Sequence, residues 1–297
     1  RAAIEANKHV YMEKAVAVDA PGVRQIVATN EQAKRKSLQV AVGFNNRHNL
    51  TCSETLARIR EGAIGRIKEM EVYWNTPGLW HQKRQANQSE MEYQLRNWPY
   101  FVWLSGDFMV EFLAGRLDLC NWAVGAQPVR AKGSGGRKEF NTGDHGEVFD
   151  HFSVDYQYAN GTTLKAETSV SPSNQKKSGN GEILYGDKGV ADPTQGKITG
   201  YASWKFSGKV TDPYQTQHDT FFAFLRRGGT LNEVDTAATA TLTAIMGRLA
   251  AYSGTEVTWD DTLNSKETLA PKPAHSLTDI PPTQPDKFGD YATPVRG

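Results

Sequence analysis

Residues 152–170, FSVDYQYANGTTLKAETSV, constrain the fold more than any other stretch. Phe152, Val154, Tyr156 and Tyr158 alternate with polar residues. Asn160-Gly161 supplies a turn, and Leu164, Ala166 and Val170 alternate back. A period of two on both sides of an Asn-Gly turn predicts a β-hairpin. One face of it is covered and the other wetter, as in an antiparallel sheet. The chain reads as β from residue 127, with further strands between 182 and 207.

The first 44 residues obey a different period. HVYM (9–12) and LQVAVGF (38–44) are short apolar runs, strand-like and buried. Between them DAPGVRQIVATNEQAKRK predicts a helix, with Asp19 as cap, Pro21 in the first turn and an apolar stripe at Val23, Ile26 and Val27. Strand, helix and strand at this spacing predict a parallel βαβ unit, which needs neighbouring strands to complete a sheet. LTCSETLARIREGAIG predicts an amphipathic helix and IKEMEVYWN a strand. DFMVEFLAGRLDLCNWAVG predicts a helix broken or weakened at Gly115. Two more helices are predicted over 213–229 and 233–254. Residues 76–105 are rich in Trp, Gln, Asn and Arg, a composition expected of a functional loop. The fold class expected is α/β plus α+β: a parallel βαβ remnant, which the resemblance described below makes the end of a dinucleotide-binding (Rossmann) domain, then an open, mostly antiparallel sheet with helices. The boundaries expected are 1–46, 47–265 and a Pro-rich arm at 266–297.

Composition excludes several classes of function. The net charge of +1 over 297 residues gives no electrostatic footprint for nucleic acid or an anionic membrane surface. No apolar run is long enough to span a bilayer. Cys52 and Cys120 lack metal-type spacing, His145 and His151 lack metal-like partners, and no metal is expected.

The chemistry-bearing residues fall after the two parallel strands. Glu13 and Lys14 follow the first, at the edge where open α/β sheets bind ligands. Lys14 could hydrogen-bond a substrate hydroxyl and stabilise developing charge, with Glu13 fixing its position; the other reading is a surface ion pair. Asn46, Arg47 and His48 follow the second strand at the same sheet edge; they simply cap the next helix, or, as the resemblance described below implies, line the substrate pocket, where Arg47 and His48 could bond sugar hydroxyls. Trp74, Trp80, Trp98 and Trp103 offer flat apolar faces on which a ligand ring could stack, or belong to the core.

AIEANKHVYMEKAVAVDAPGVRQIV, with AKRKSLQVAVGFNNRH after it, resembles the Gfo/Idh/MocA oxidoreductases. EMEYQLRNWPYFVWLSGDFMVE, LDLCNW, TLTAIMGRLAAYSG and VTWDDTLNS resemble their bacterial subgroup with a distinctive C-terminal domain. The resemblance implies an NAD- or NADP-dependent oxidoreductase acting on a sugar, cyclitol or glycoside, with hydride transfer at a secondary alcohol. It also admits an NAD-dependent glycoside-cleaving enzyme. It makes Glu13-Lys14-Ala15 the counterpart of the family's Glu-Lys-Pro, with Lys14 reaching both nicotinamide and substrate. Asp118 becomes the Asp of its His-x-x-Asp motif, with an active-site role or a packing one.

Two departures accompany the resemblance. The Gly-rich phosphate loop that precedes Glu-Lys in the family is absent, and GSGG at 133–136 opens no helix. A fragment of a longer product, inactive by itself, is therefore expected. The motif's His position is Gly115, and Arg116 stays charged. Either Asp107, Glu111 or His218 carries the proton, or the protein is a catalytically altered sugar-binding member. The resemblance further implies a homo-oligomer, and a bacterial cytoplasmic or exported setting.

Overall fold

The computed structural model describes residues 1–140, 142–171, 178–269 and 276–294. The parts of the Pro-rich arm at 270–275 and 295–297 lie outside the described residues.

The chain opens with a one-turn helix α1 (Ala2–Glu5), strand β1 (Val10–Met12), helix α2 (Ala20–Arg35) and strand β2 (Val40–Val42). β1 and β2 pair in parallel, Val10 opposite Val40 and Met12 opposite Val42. Asp19 caps α2 as expected, one oxygen accepting from the Gly22 amide at 2.8 Å; the other accepts from Leu269 N at 2.9 Å. The outer edge of β2 is also used: Val40 N donates to Leu231 O, and Glu233 N donates to Val40 O.

After a 3-10 turn at Asn45–His48 come α3 (Leu50–Arg60) and β3 (Ile67–Thr76). The aromatic segment then folds into short helices, α4 (Glu90–Arg96) and α5 (Val102–Ser105), before the long α6 (Phe108–Val124). α6 is continuous through Gly115, where a break was expected. A mid-helix glycine costs about 1 kcal/mol. Leu113, Ala114, Leu117 and Leu119, all buried, offset that through packing.

The β region follows: β4 (Pro128–Gly136), β5 (His151–Tyr158), β6 (Thr163–Val170), β7 (Gly179–Gly186), β8 (Gly189–Asp192), β9 (Lys197–Gly200) and β10 (Trp204–Lys205). α7 (Pro213–Arg227), α8 (Val234–Ser253), β11 (Val257–Thr258) and α9 (Trp259–Asn264) complete the order. The large sheet has the order β10-β9-β8-β7-β3-β6-β5-β4-β11. The predicted hairpin is β5–β6, with Tyr156 opposite Leu164 and Val154 opposite Ala166. Gly161 takes φ 86°, the left-handed conformation the turn requires. Every pairing in this sheet is antiparallel except β3 with β6.

One face of the sheet is polar. The other is covered by two helices, α6 over β3 and β6 and α8 over β4 and β5. Phe152, Val154, Tyr156, Tyr158, Leu164 and Ala166 meet Leu113, Leu117, Leu242 and Ile245 there in one core. α8 also packs on α2 and β2, joining the small parallel sheet to the large one. The mixed α/β architecture with a large, mostly antiparallel open sheet is the fold class expected.

Candidate functional site

The site is built where three elements meet: the carboxyl ends of β1 and β2, and one face of α6. Gly43 N donates to Met12 O at 2.9 Å, so the parallel pairing runs one step past the strands. That registers Glu13 and Lys14 beside the 3-10 turn carrying Asn46, Arg47 and His48. Glu13 lies so close over Gly43 that any Cβ there would strike its carboxylate. The Lys14–Ala15 peptide bond is cis.

On α6, Glu111, Gly115, Asp118 and Trp122 are spaced four, three and four apart and share one face. Lys14 Nζ sits 3.0 Å from Glu111 Oε1 and also donates to the Glu111 main-chain oxygen. Two turns along, Arg47 grips Asp118 with both arms of its guanidinium, Nε to Oδ2 at 2.7 Å and a terminal nitrogen to Oδ1 at 2.9 Å. Asp118 is 1% exposed. Burial pushes its carboxyl above the ordinary range, and Arg47 pulls it back toward the charged form. The Arg47 guanidinium lies 4.8 Å from the centre of the Trp122 ring, and Arg60 lies 5.2 Å from the same ring. An open cleft of about 410 Å³ is bounded by Arg47, Asp118, Asn121, Trp122 and the first turns of α8.

His48 reaches the other side. Its Nε2 is 3.3 Å from Glu233 Oε1, while Glu233 Oε2 accepts from Val42 N at 2.8 Å. Glu233 thus ties the start of α8 to the end of β2. Asn46 lies in the same turn, its carbonyl accepting from Asn49 N. His218, on α7, stacks on Tyr11 of β1 with ring centres 4.5 Å apart, and the neighbouring Gln217 amide donates to the Tyr11 hydroxyl. Burial, with the Glu13 and Glu233 carboxylates nearby, pushes Tyr11 up to about 12.

So the structure brings Lys14, Glu111, Arg47 and Asp118 into two facing pairs along one helix. Glu13, Asn46 and His48 stand beside them, and His218 lies on the sheet face behind Tyr11. Asp107 is elsewhere: fully buried, it caps α6 through the Phe108 amide and accepts from the Tyr252 hydroxyl. Burial raises Asp107 to about 7 against the pull of those two donors. Arg116 points away from the shared face of α6, to Glu182 and Asn180 on β7. Of the four tryptophans singled out from sequence, Trp74 stacks on Phe112 inside the core margin, 3.7 Å between ring centres. Trp103 donates to Gln94.

Sequence reasoning missed Trp122 and Glu233. Trp122 was signalled by helical spacing, four residues after Asp118. Glu233 had no local signal, because its partners Val42 and His48 are distant in sequence.

No family model matches the sequence, and no curated protein matches it. Solved structures do match the fold. A protein of Sinorhizobium meliloti assigned as a myo-inositol dehydrogenase matches with TM-score 0.63 and 18% identity, over 86% of this chain and 75% of that one. Aldose-aldose oxidoreductase from Caulobacter crescentus, in complex with glycerol, matches with TM-score 0.68 and 18% identity, over 86% and 73%. Levoglucosan dehydrogenase in complex with NADH and levoglucosan matches with TM-score 0.65 and 17% identity, over 86% and 75%. The chain has the fold of the Gfo/Idh/MocA-type oxidoreductases.

Proposed function

We propose that the protein is an oxidoreductase of an uncharged sugar, cyclitol or glycoside, reacting at a secondary alcohol held by Lys14. The observation that carries this is the Lys14–Glu111 pair at the carboxyl edge of the parallel strands, one helical face from Arg47–Asp118. The Lys14 ammonium donates a hydrogen bond to the reacting oxygen, or the neutral amine takes that oxygen's proton, and Glu111 holds the nitrogen in place and accepts from a neighbouring hydroxyl. Both cations already face carboxylates, so the face favours a neutral polyol over an anion. Asn46 and His48 line the same edge and would bond further hydroxyls. We further propose domain limits at 1–46 and 47–265, which would make this face the junction of two units.

The nicotinamide class of cofactor rests on the fold and on levoglucosan dehydrogenase, which carries NADH. The described residues do not supply the cradle its phosphates need. α2, the helix after β1, has its first turn filled by the Asp19 carboxylate, and Gly43 after β2 is covered by Glu13. No step is therefore assigned to the cofactor. That misfit, with glycine at 115, favours a second reading: a sugar-binding member that has lost its chemistry.

Titration with NADH, followed by turnover against a panel of sugars and cyclitols, separates the two. Cofactor binding and turnover that Lys14→Met lowers by about 10²-fold or more supports the first. Sugar binding with neither favours the second. The polar outer face of the large sheet is where we place a homo-oligomer contact; a monomer by light scattering would contradict it.

A further inference from the structure

Gly115 and Gly247 stand in the middle of long helices, and they differ. Gly247 on α8 is required by packing: a Cβ there would strike the Tyr156 hydroxyl and approach Met109 Cε at 2.8 Å. Gly115 on α6 has no such reason. A Cβ built on it meets nothing within 4 Å, and the helix is regular through it. A glycine in a helix interior is unfavourable relative to alanine, so here it costs stability and relieves no clash.

Its position explains what the missing side chain leaves free. Gly115 lies one turn after Glu111 and one turn before Asp118, so it forms the floor between Lys14–Glu111 and Arg47–Asp118. Helical side chains lean toward the N-terminus, so any residue at 115 would lie back toward Glu111, across that gap. Seven residues of helix, two turns, rise about 10.5 Å between Glu111 and Asp118, a span that a sugar ring fills when it makes a hydrogen bond of about 2.8 Å at each end.

We propose that Gly115 is a specificity-determining residue: the open space above it seats the ring of a neutral carbohydrate. One hydroxyl then sits at Lys14–Glu111 and another at Arg47–Asp118. This rests on the carbohydrate reading above and deepens it. The ring meets a donor and an acceptor at each end, and the backbone of α6 beneath it. The ring fits because position 115 lacks a side chain, so the site selects a cyclic substrate by volume.

The test uses the full chain, with Gly115→Ala and Gly115→Leu. Calorimetric titration with glucose, myo-inositol and levoglucosan is paired with thermal melting. Because the built Cβ meets nothing, both variants should melt at or above the wild-type temperature, Gly115→Ala by about 2 °C. Binding of the ring probes should weaken with side-chain size, under threefold for Ala and more than tenfold for Leu. Equal affinities for wild type and Gly115→Leu would overturn the proposal while leaving the carbohydrate reading intact. A wild type that binds none of the probes would overturn both. A variant that melts several degrees lower would refute the open space itself.

Discussion

Replacing Asp107 by Asn should remove a pH-dependent weakness from the fold. Asp107 is fully buried at the start of α6, with the Tyr252 hydroxyl and Phe108 amide on its carboxylate. Arg248 favours its charged form and Glu147 disfavours it. Burial outweighs the donors and lifts it from 3.8 to about 7. Between those values the folded chain keeps a proton that the unfolded chain has released. Stability therefore falls as pH rises through the window, by about 1.4 kcal/mol per pH unit, to a full penalty of roughly 4 kcal/mol above it. Asn is neutral throughout and, being isosteric with Asp, keeps the side-chain shape at the backbone φ of 84° found here. It gives up one accepting oxygen, at about 1 kcal/mol. Urea unfolding at pH 4, 5, 7 and 8 should give curves that cross at about pH 4.5, with Asp107→Asn slightly weaker at pH 4 and roughly 3 kcal/mol stronger at pH 8. Burial also raises Glu147, Asp118 and Glu182, but they are common to both proteins and cancel in the difference. Parallel curves would refute the reasoning.

Arg47→Ala leaves the Asp118 carboxylate buried and unpaired; with Arg47 itself 24% exposed, the expected loss is about 2–3 kcal/mol by urea unfolding. Arg47→Lys should recover only part of it, because an ammonium cannot grip both oxygens. Gly247→Ala should destabilise by about 1–3 kcal/mol through the clash with Tyr156, and Tyr156→Phe in the same chain should return part of that; additive losses would argue against the clash. Burial, then His81 nearby, lowers the His145 imidazole below 6.5. Its contribution is therefore lost as pH falls below 6.5, and His145→Gln should lose less thermal stability than wild type between pH 7.5 and 5.5.

What the sequence made legible was local. The β5–β6 hairpin is written in a period of two around Asn160-Gly161, and its register depends on nothing distant. The α2 cap was equally visible, because Asp19 and Gly22 are three residues apart. Lys14 and Arg47 were marked by their place after strands, but their partners were not. Glu111 lies 97 residues from Lys14, and Asp118 lies 71 from Arg47. Those pairings follow from how α6 crosses the sheet edge, which no local pattern encodes. Gly115 was misread as a break for the same reason: propensity speaks against it, and packing on both sides overrides propensity. Asp107 stood out in sequence only as a candidate proton carrier; its burial beneath Tyr252 as the cap of α6 depends on a partner 145 residues away.

The central strand of the large sheet has a consequence for how the molecule is assembled. Among the described residues β3 pairs with β6 and β7, and its contacts with β6 bridge 94 residues, as from Thr168 to Trp74. A ribosome must therefore deliver the chain past residue 186 before β3 acquires both neighbours. Until β6 emerges neither edge of β3 has its strand partner, and until β7 follows one edge stays open to water. Closing such long loops early in folding is entropically costly. The rate at which this protein matures should follow the arrival of its C-terminal half, and a chain cut between β3 and β6 should leave the first part without a sheet to join.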